Sequence, residues 1–318
     1  MNNEVKTAPA PAWAVIAAFA TVYLIWGSTY LGIRYAIETI PPFLMAGSRN
    51  MAAGVLMMLI AFARGESRPS LVEWRNAVIA GGLMLTLGNG GVTWAEKFLP
   101  SSETALLVAL TPLWMVLFDW LRPEGTRPGW LVMAGLAVGF VGVSLLARSH
   151  GSEGQATYGW AAIVVLISSV GWALGTIFNR AARKPASPLL AGGMQMLAGG
   201  AMLLALGERA GEWNQFAFAA LTPRSVGAWL FLMVAGSMIA YSVYVWLLHA
   251  STPARVSTTA YVNPLIAVLL GCTLGREPFS HDVLVAGGLI IGAVVLVLRG
   301  GAKRATAEKV ATVCEEIA

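Results

Sequence analysis

Ten apolar runs, each long enough to cross a bilayer as a helix, alternate with short polar connections along this chain. They cover roughly 13–33, 41–63, 76–95, 102–120, 128–147, 158–179, 187–207, 226–248, 254–274 and 281–299. A hydrocarbon core of about 30 Å takes about 20 residues of helix. Pro, Gly or charge punctuates most connections, and no gap has room for a soluble domain. The longest gap, from Glu208 to Arg224, carries Trp213, Phe216 and Phe218, aromatic side chains that suit the membrane–water boundary. The first run predicts a retained helix rather than a signal peptide. It is too long and lacks a clean cleavage site before more apolar sequence.

Composition agrees with lipid as the solvent. The chain of 318 residues is 57% hydrophobic and 12% charged, about half the charged share of a soluble protein. The net charge of +5 forms no basic stripe interleaved with aromatics, so nucleic acid is not an expected partner. Cys272 and Cys314 are isolated, and the three histidines (His150, His249, His281) are scattered, which leaves no expected metal site, cofactor or disulfide framework. With the N-terminus in the cytoplasm, Arg34, Lys97, Arg148, Arg209, Arg224 and Arg276 fall on the outer side and Arg49 inside a span. The remaining fourteen of the 21 Lys and Arg then lie on the cytoplasmic side. Both termini are therefore expected to be cytoplasmic.

An internal repeat sets the expected architecture. Shifted by 146 residues, 26–54 aligns with 172–200 without a gap, matching Trp26 with Trp172, Arg34 with Arg180, Pro42 with Pro188 and Gly47 with Gly193. After the long connection the offset becomes 152, and Trp94 meets Trp246 while Pro112-Leu113 meets Pro264-Leu265. Each copy holds five spans, and an odd number forces the second copy to enter from the opposite side. The fold class expected is all-α: a polytopic membrane protein with ten transmembrane helices in two inverted five-helix repeats, 13–147 and 158–299, followed by a cytoplasmic tail at 300–318. Inverted repeats place a solute site near the membrane midplane between the halves.

Trp26-Gly27-Ser28 in the first span, Arg49 in the second, and Pro112 and Pro264 in the fourth and ninth resemble the drug/metabolite transporter superfamily, EamA type, over about residues 13–300. The resemblance implies a secondary transporter of a bacterial inner membrane. It would export amino acids, including aromatic ones, related metabolites or drugs through a central cavity lined mainly by spans 1, 3, 4, 6, 8 and 9.

Candidate solute-binding residues are the polar and aromatic side chains on those spans. Trp26 and Trp172 offer stacking surfaces, and Asn89, Thr93, Tyr241, Tyr244, Ser257, Tyr261 and Asn263 offer hydrogen bonds. A lone Tyr or Ser in a span also serves as helix glue, so the group rather than any one member carries the expectation. Pro112 and Pro264 each remove a backbone hydrogen bond, which suits either a hinge or a static kink. Arg49 is the basic residue nearest mid-span; it must find partners, and is expected to be structural. Glu96, Glu103 and Asp119 lie near span ends and read as solvated anchors, so coupling to protons draws no support from the sequence. The Gly135/Gly139 spacing suits helix packing within the chain or a weak homodimer, leaving monomer or weak homodimer open. The rival readings are a broad-specificity multidrug efflux carrier and an intramembrane enzyme. The enzyme lacks a P-loop, an HExxH motif, a triad or paired mid-span carboxylates, so no catalytic residue is expected.

Overall fold

In the computed structural model the described residues are 11–121, 129–148, 151–251, 258–277 and 280–317. Besides short helical turns at Glu212–Gln215 and Phe218–Ala220, they form ten longer helical runs: α1 Ala12–Ala36, α2 Pro42–Ala63, α3 Leu71–Ala95, α4 Ser101–Val108 continued by Thr111–Trp120, and α5 Trp130–Arg148. The second set is α6 Gly151–Ala181, α7 Pro188–Arg209, α8 Pro223–Phe231 continued through Leu232–Ile239 to Ala240–Ala250, α9 Thr259–Thr273, and α10 His281–Ile317. Seven runs are long and apolar enough to cross a membrane by themselves, and Trp130–Leu145, Val262–Thr273 and His281–Val297 are shorter apolar stretches. No strand occurs among the described residues. The molecule is a polytopic bundle of membrane helices. The helix α10 runs beyond the apolar stretch to Ile317, where the sequence suggests only a tail.

The helix starts are written locally. Pro42 and Pro188 occupy first-turn positions, where the missing N–H is no loss. Ser70 and Glu73 form a reciprocal capping box at the start of α3, which satisfies two exposed donors of the first turn. Two segments are wound as π-helix, Gly82–Gly90 in α3 and Leu232–Ile239 in α8. The helix α4 breaks between Val108 and Thr111. Pro112 cannot donate to the carbonyl of Val108, and the Thr111 hydroxyl donates to that oxygen instead, at 2.6 Å. Pro264, by contrast, sits inside a continuous α9.

Packing pairs the halves. The helix α2 lies along α7 and α5 along α10, while α1 meets α9 and α4 meets α6. In the α2–α7 seam a Cβ on Gly54 would stand 2.6 Å from the Leu197 nitrogen, and one on Gly200 would stand 2.7 Å from that of Met51. Only glycine lets two backbones approach so closely. In α5, a Cβ on Gly135 would meet the Ala293 carbonyl of α10 at 2.9 Å, and Gly139 faces Leu110, Leu113 and Ala293. That small-residue face is used within the chain. The outer surface carries large apolar side chains, including Trp13, Phe140, Trp160 and Leu269, as expected where lipid replaces water.

Candidate functional site

The candidate solute-binding residues make two sets of contacts, with Tyr241 and Tyr244 of α8 near each other. In the first, the Trp26 indole of α1 stacks obliquely on Tyr244 of α8, with ring centroids 4.9 Å apart, and donates its N–H to the Gly236 carbonyl at 3.2 Å. That carbonyl lies in the π-wound part of α8. Tyr23 and Thr258 share a hydrogen bond, tying α1 to the start of α9. Gly27 lets α9 approach: a Cβ there would stand 2.7 Å from Ile266 and 3.1 Å from the Asn263 carbonyl. The side-chain oxygen of Asn263 is buried and accepts no hydrogen bond from the described residues. Between α1 and α8 a lateral cleft of about 400 Å³ opens, lined by Trp13, Thr21, Ser242 and Trp246 among others. Tyr244 also lies within electrostatic reach of Arg180 at the end of α6.

The second set spans α2, α3, α6, α7 and α8. The Arg49 guanidinium, 5% exposed, donates to the Asn89 side-chain oxygen at 2.5 Å, and the Thr93 hydroxyl donates to the Asn89 carbonyl at 2.9 Å. Trp172 packs against Gly88, and Tyr241 against Gly192 of α7 and toward Met57 of α2. Arg49 and Asn89 therefore share one contact, and one guanidinium nitrogen of Arg49 stays buried and unbonded. At the matched place in α7, Gln195 donates to Asn179 at 3.0 Å. Ser257 and the Tyr261 side chain lie outside the described residues.

The end of the bundle that holds the α3–α4 and α9–α10 connections is tied together by carboxylates. Glu277 accepts from both the backbone N–H and the hydroxyl of Ser101, each at 2.7 Å, and from those of Ser102, at 3.0 and 2.5 Å. These donors open α4, where the helix dipole favours negative charge. Arg34 of α1 approaches Glu277 at 3.8 Å and also donates to the Leu99 carbonyl. Arg276, at φ 52°, turns the chain so that Glu277 folds back over α4. Glu212 does the same for α2, accepting from the N–H groups of Phe43 and Leu44 at 3.2 and 2.9 Å. At this end Ser225 donates to the Tyr35 carbonyl, and Arg224 lies over the Tyr35 ring.

Glu96 and Glu103 are not solvated anchors, contrary to the expectation from their places at span ends. They are 1% and 2% exposed. Glu103 interacts with Tyr158 of α6. Neither oxygen of Glu96 has a hydrogen-bond partner among the described residues. Burial pushes its carboxyl well above the usual carboxylate range, the charge of Glu277 adds to this, and Arg34 opposes it. Nothing in the sequence announces this, because the charge of Glu277 comes near Glu96 only once the α9–α10 connection is folded.

Residues 12–148 and 159–299 each match the model of the EamA-like transporter family. The chain is 38% identical over 288 residues to a protein of Escherichia coli (strain K12) described as uncharacterized inner membrane transporter YedA, spanning 90% of this chain and 91% of that one. It is 25% identical to uncharacterized transporter YvbV of Bacillus subtilis (strain 168), over 92% and 93% of the two chains. A crystal structure superposes with a TM-score of 0.61 at 21% identity, covering 90% of this chain and 96% of its own, which bears on the fold alone. Two matched segments that fill both halves, on a bundle of apolar helices, place this membrane protein in the EamA-like transporter family.

Proposed function

We propose that the protein exports small organic solutes, amino acids or related metabolites, from a bacterial cytoplasm by alternating access. The observation that carries this is the matched pairing of helices between halves: α2 with α7, α5 with α10, and α1–α9 answered by α4–α6. Such pairing is what two inverted five-helix units, 13–147 and 158–299, would produce. It gives two related arrangements, one opening to each side. The excess of Lys and Arg on one side supports cytoplasmic termini.

Trp26, Trp172, Tyr241, Tyr244 and Asn263 are the proposed solute contacts, with Asn89 and Thr93 shaping the opposite wall around Arg49, and Ser257 and Tyr261 completing the set. Aromatic faces and amide or hydroxyl groups suit a solute with an apolar body and a polar head. The buried, unbonded oxygen of Asn263 is an acceptor for an ammonium or amide. The test is metabolite profiling of the medium from cells that overexpress or lack the gene, followed by uptake of the enriched compounds into proteoliposomes. A solute whose export rises on overexpression and collapses in Asn263→Leu, at equal protein level, is the expected result. No solute responding to either change overturns the reading.

A further inference from the structure

The end tied by Glu277 holds two buried carboxyls, Glu96 and Glu277, that lie in one another's field. Glu277 has four donors from Ser101 and Ser102, with Arg34 close by. Glu96 has none among the described residues, and it is 1% exposed although Lys97 and Phe98 beside it face outward. An ionised carboxylate left buried without a partner costs several kcal/mol. The group escapes that penalty by taking a proton.

We infer that Glu96 is a proton-binding site that loads when this end of the carrier closes and empties when it opens. The other charged and titratable groups around it leave it no better partner. Tyr30 and Arg34 approach from α1 and Glu277 from the α9–α10 connection. On the helices packed against the last turns of α3, Arg49 of α2 is held by Asn89 and Tyr158 of α6 by Glu103 of α4. Adjacent Lys97 points to the exterior. A metal cation needs several oxygen ligands. Here Glu277 already spends its oxygens on serines, so one carboxyl group is on offer, which suits a proton.

The step balances simply. On closure a hydronium ion gives one proton to the Glu96 carboxylate and leaves water, and on opening the reverse transfer returns it. The sealed state binds the extra proton, so sealing is favoured at low pH and weakens as pH rises through the raised Glu96 value. Inverted carriers exchange one open end for the other. Loading and unloading at one end therefore links solute movement to the proton concentration on that side. This consequence rests on the carrier reading; the proton site itself does not.

The experiment uses the full chain in liposomes, with protons as the probe. Infrared difference spectra across a pH titration should show a protonated carboxyl at a pH where ordinary glutamates are ionised. The band should vanish in Glu96→Gln and persist, shifted, in Glu96→Asp. A band unaffected by Glu96→Gln, or one removed by sodium chloride at fixed pH, overturns the proposal. In parallel, a Leu99→Cys probe in a Cys272→Ala, Cys314→Ala background reports sealing. Its alkylation should accelerate with pH more steeply in the chain with Glu96 than in the same chain carrying Glu96→Gln. Equal pH profiles overturn the proposal too. A chain that moves no solute yet shows the Glu96 band sinks the carrier reading alone, and a solute carrier without the band sinks only the proton site.

Discussion

Glu277 and Glu96 close the same end of the bundle, both nearly absent from the surface, and they meet opposite fates. Glu277 lands on the opening turn of α4, where two N–H groups and two hydroxyls wait for an acceptor. Glu96 lands beside it with nothing to accept from. Burial alone therefore does not say whether a carboxylate stabilises a membrane protein. The donors it meets decide. One side chain fastens helices together as an anion, and its neighbour is comfortable only when neutral.

That contrast breaks most sharply with the substitution Glu277→Ala. It leaves four donors and Arg34 without their anion and should lower stability by about 3–5 kcal/mol, read as a large drop in the thermal midpoint of the detergent-solubilised protein. Glu212→Ala removes two backbone contacts at the start of α2 and should cost less, about 1–3 kcal/mol, by the same measurement. Arg34→Gln is expected to cost under about 1 kcal/mol, because the guanidinium is well exposed and its pairing with Glu277 is long. Glu96→Gln reverses the sign: an uncharged amide in place of an orphaned acid should leave the midpoint unchanged or raise it above pH 7. A loss for Glu96→Gln as large as that for Glu277→Ala would erase the distinction. Since burial raises the Glu96 carboxyl, the wild-type midpoint should fall as pH rises through that value, and the Glu96→Gln midpoint should not.

Much of this bundle was legible in the pattern of apolar runs. Each span needs only length and apolarity to be seen, and Pro112 announces the break in α4 because a missing N–H acts locally. Arg49 was legible as a residue in need of partners, but its partner Asn89 was not, since the choice depends on how α2 and α3 lie together. Glu96 reads as solvated for a sound local reason: it follows the apolar run and precedes Lys97. What overrides that reading is remote, namely the turn at Arg276 that folds Glu277 back and closes the space. The π-wound segments carry no reliable signature either. They show where helices must fit against partners, as Gly88 does against Trp172 and Gly236 against Trp26.

Those two widened stretches, in α3 and α8, have a mechanical meaning. A π turn stores one residue more than the α-helix needs, and the surplus can be handed along the axis without parting the chain. Each hand-over rotates the residues it passes by about 100° while the ends stay in place. Side chains such as Trp26, which rests on the Gly236 carbonyl, would then exchange one backbone partner for the next. A membrane-spanning rod can thus change the face it presents to a passing molecule without being pulled out of the lipid.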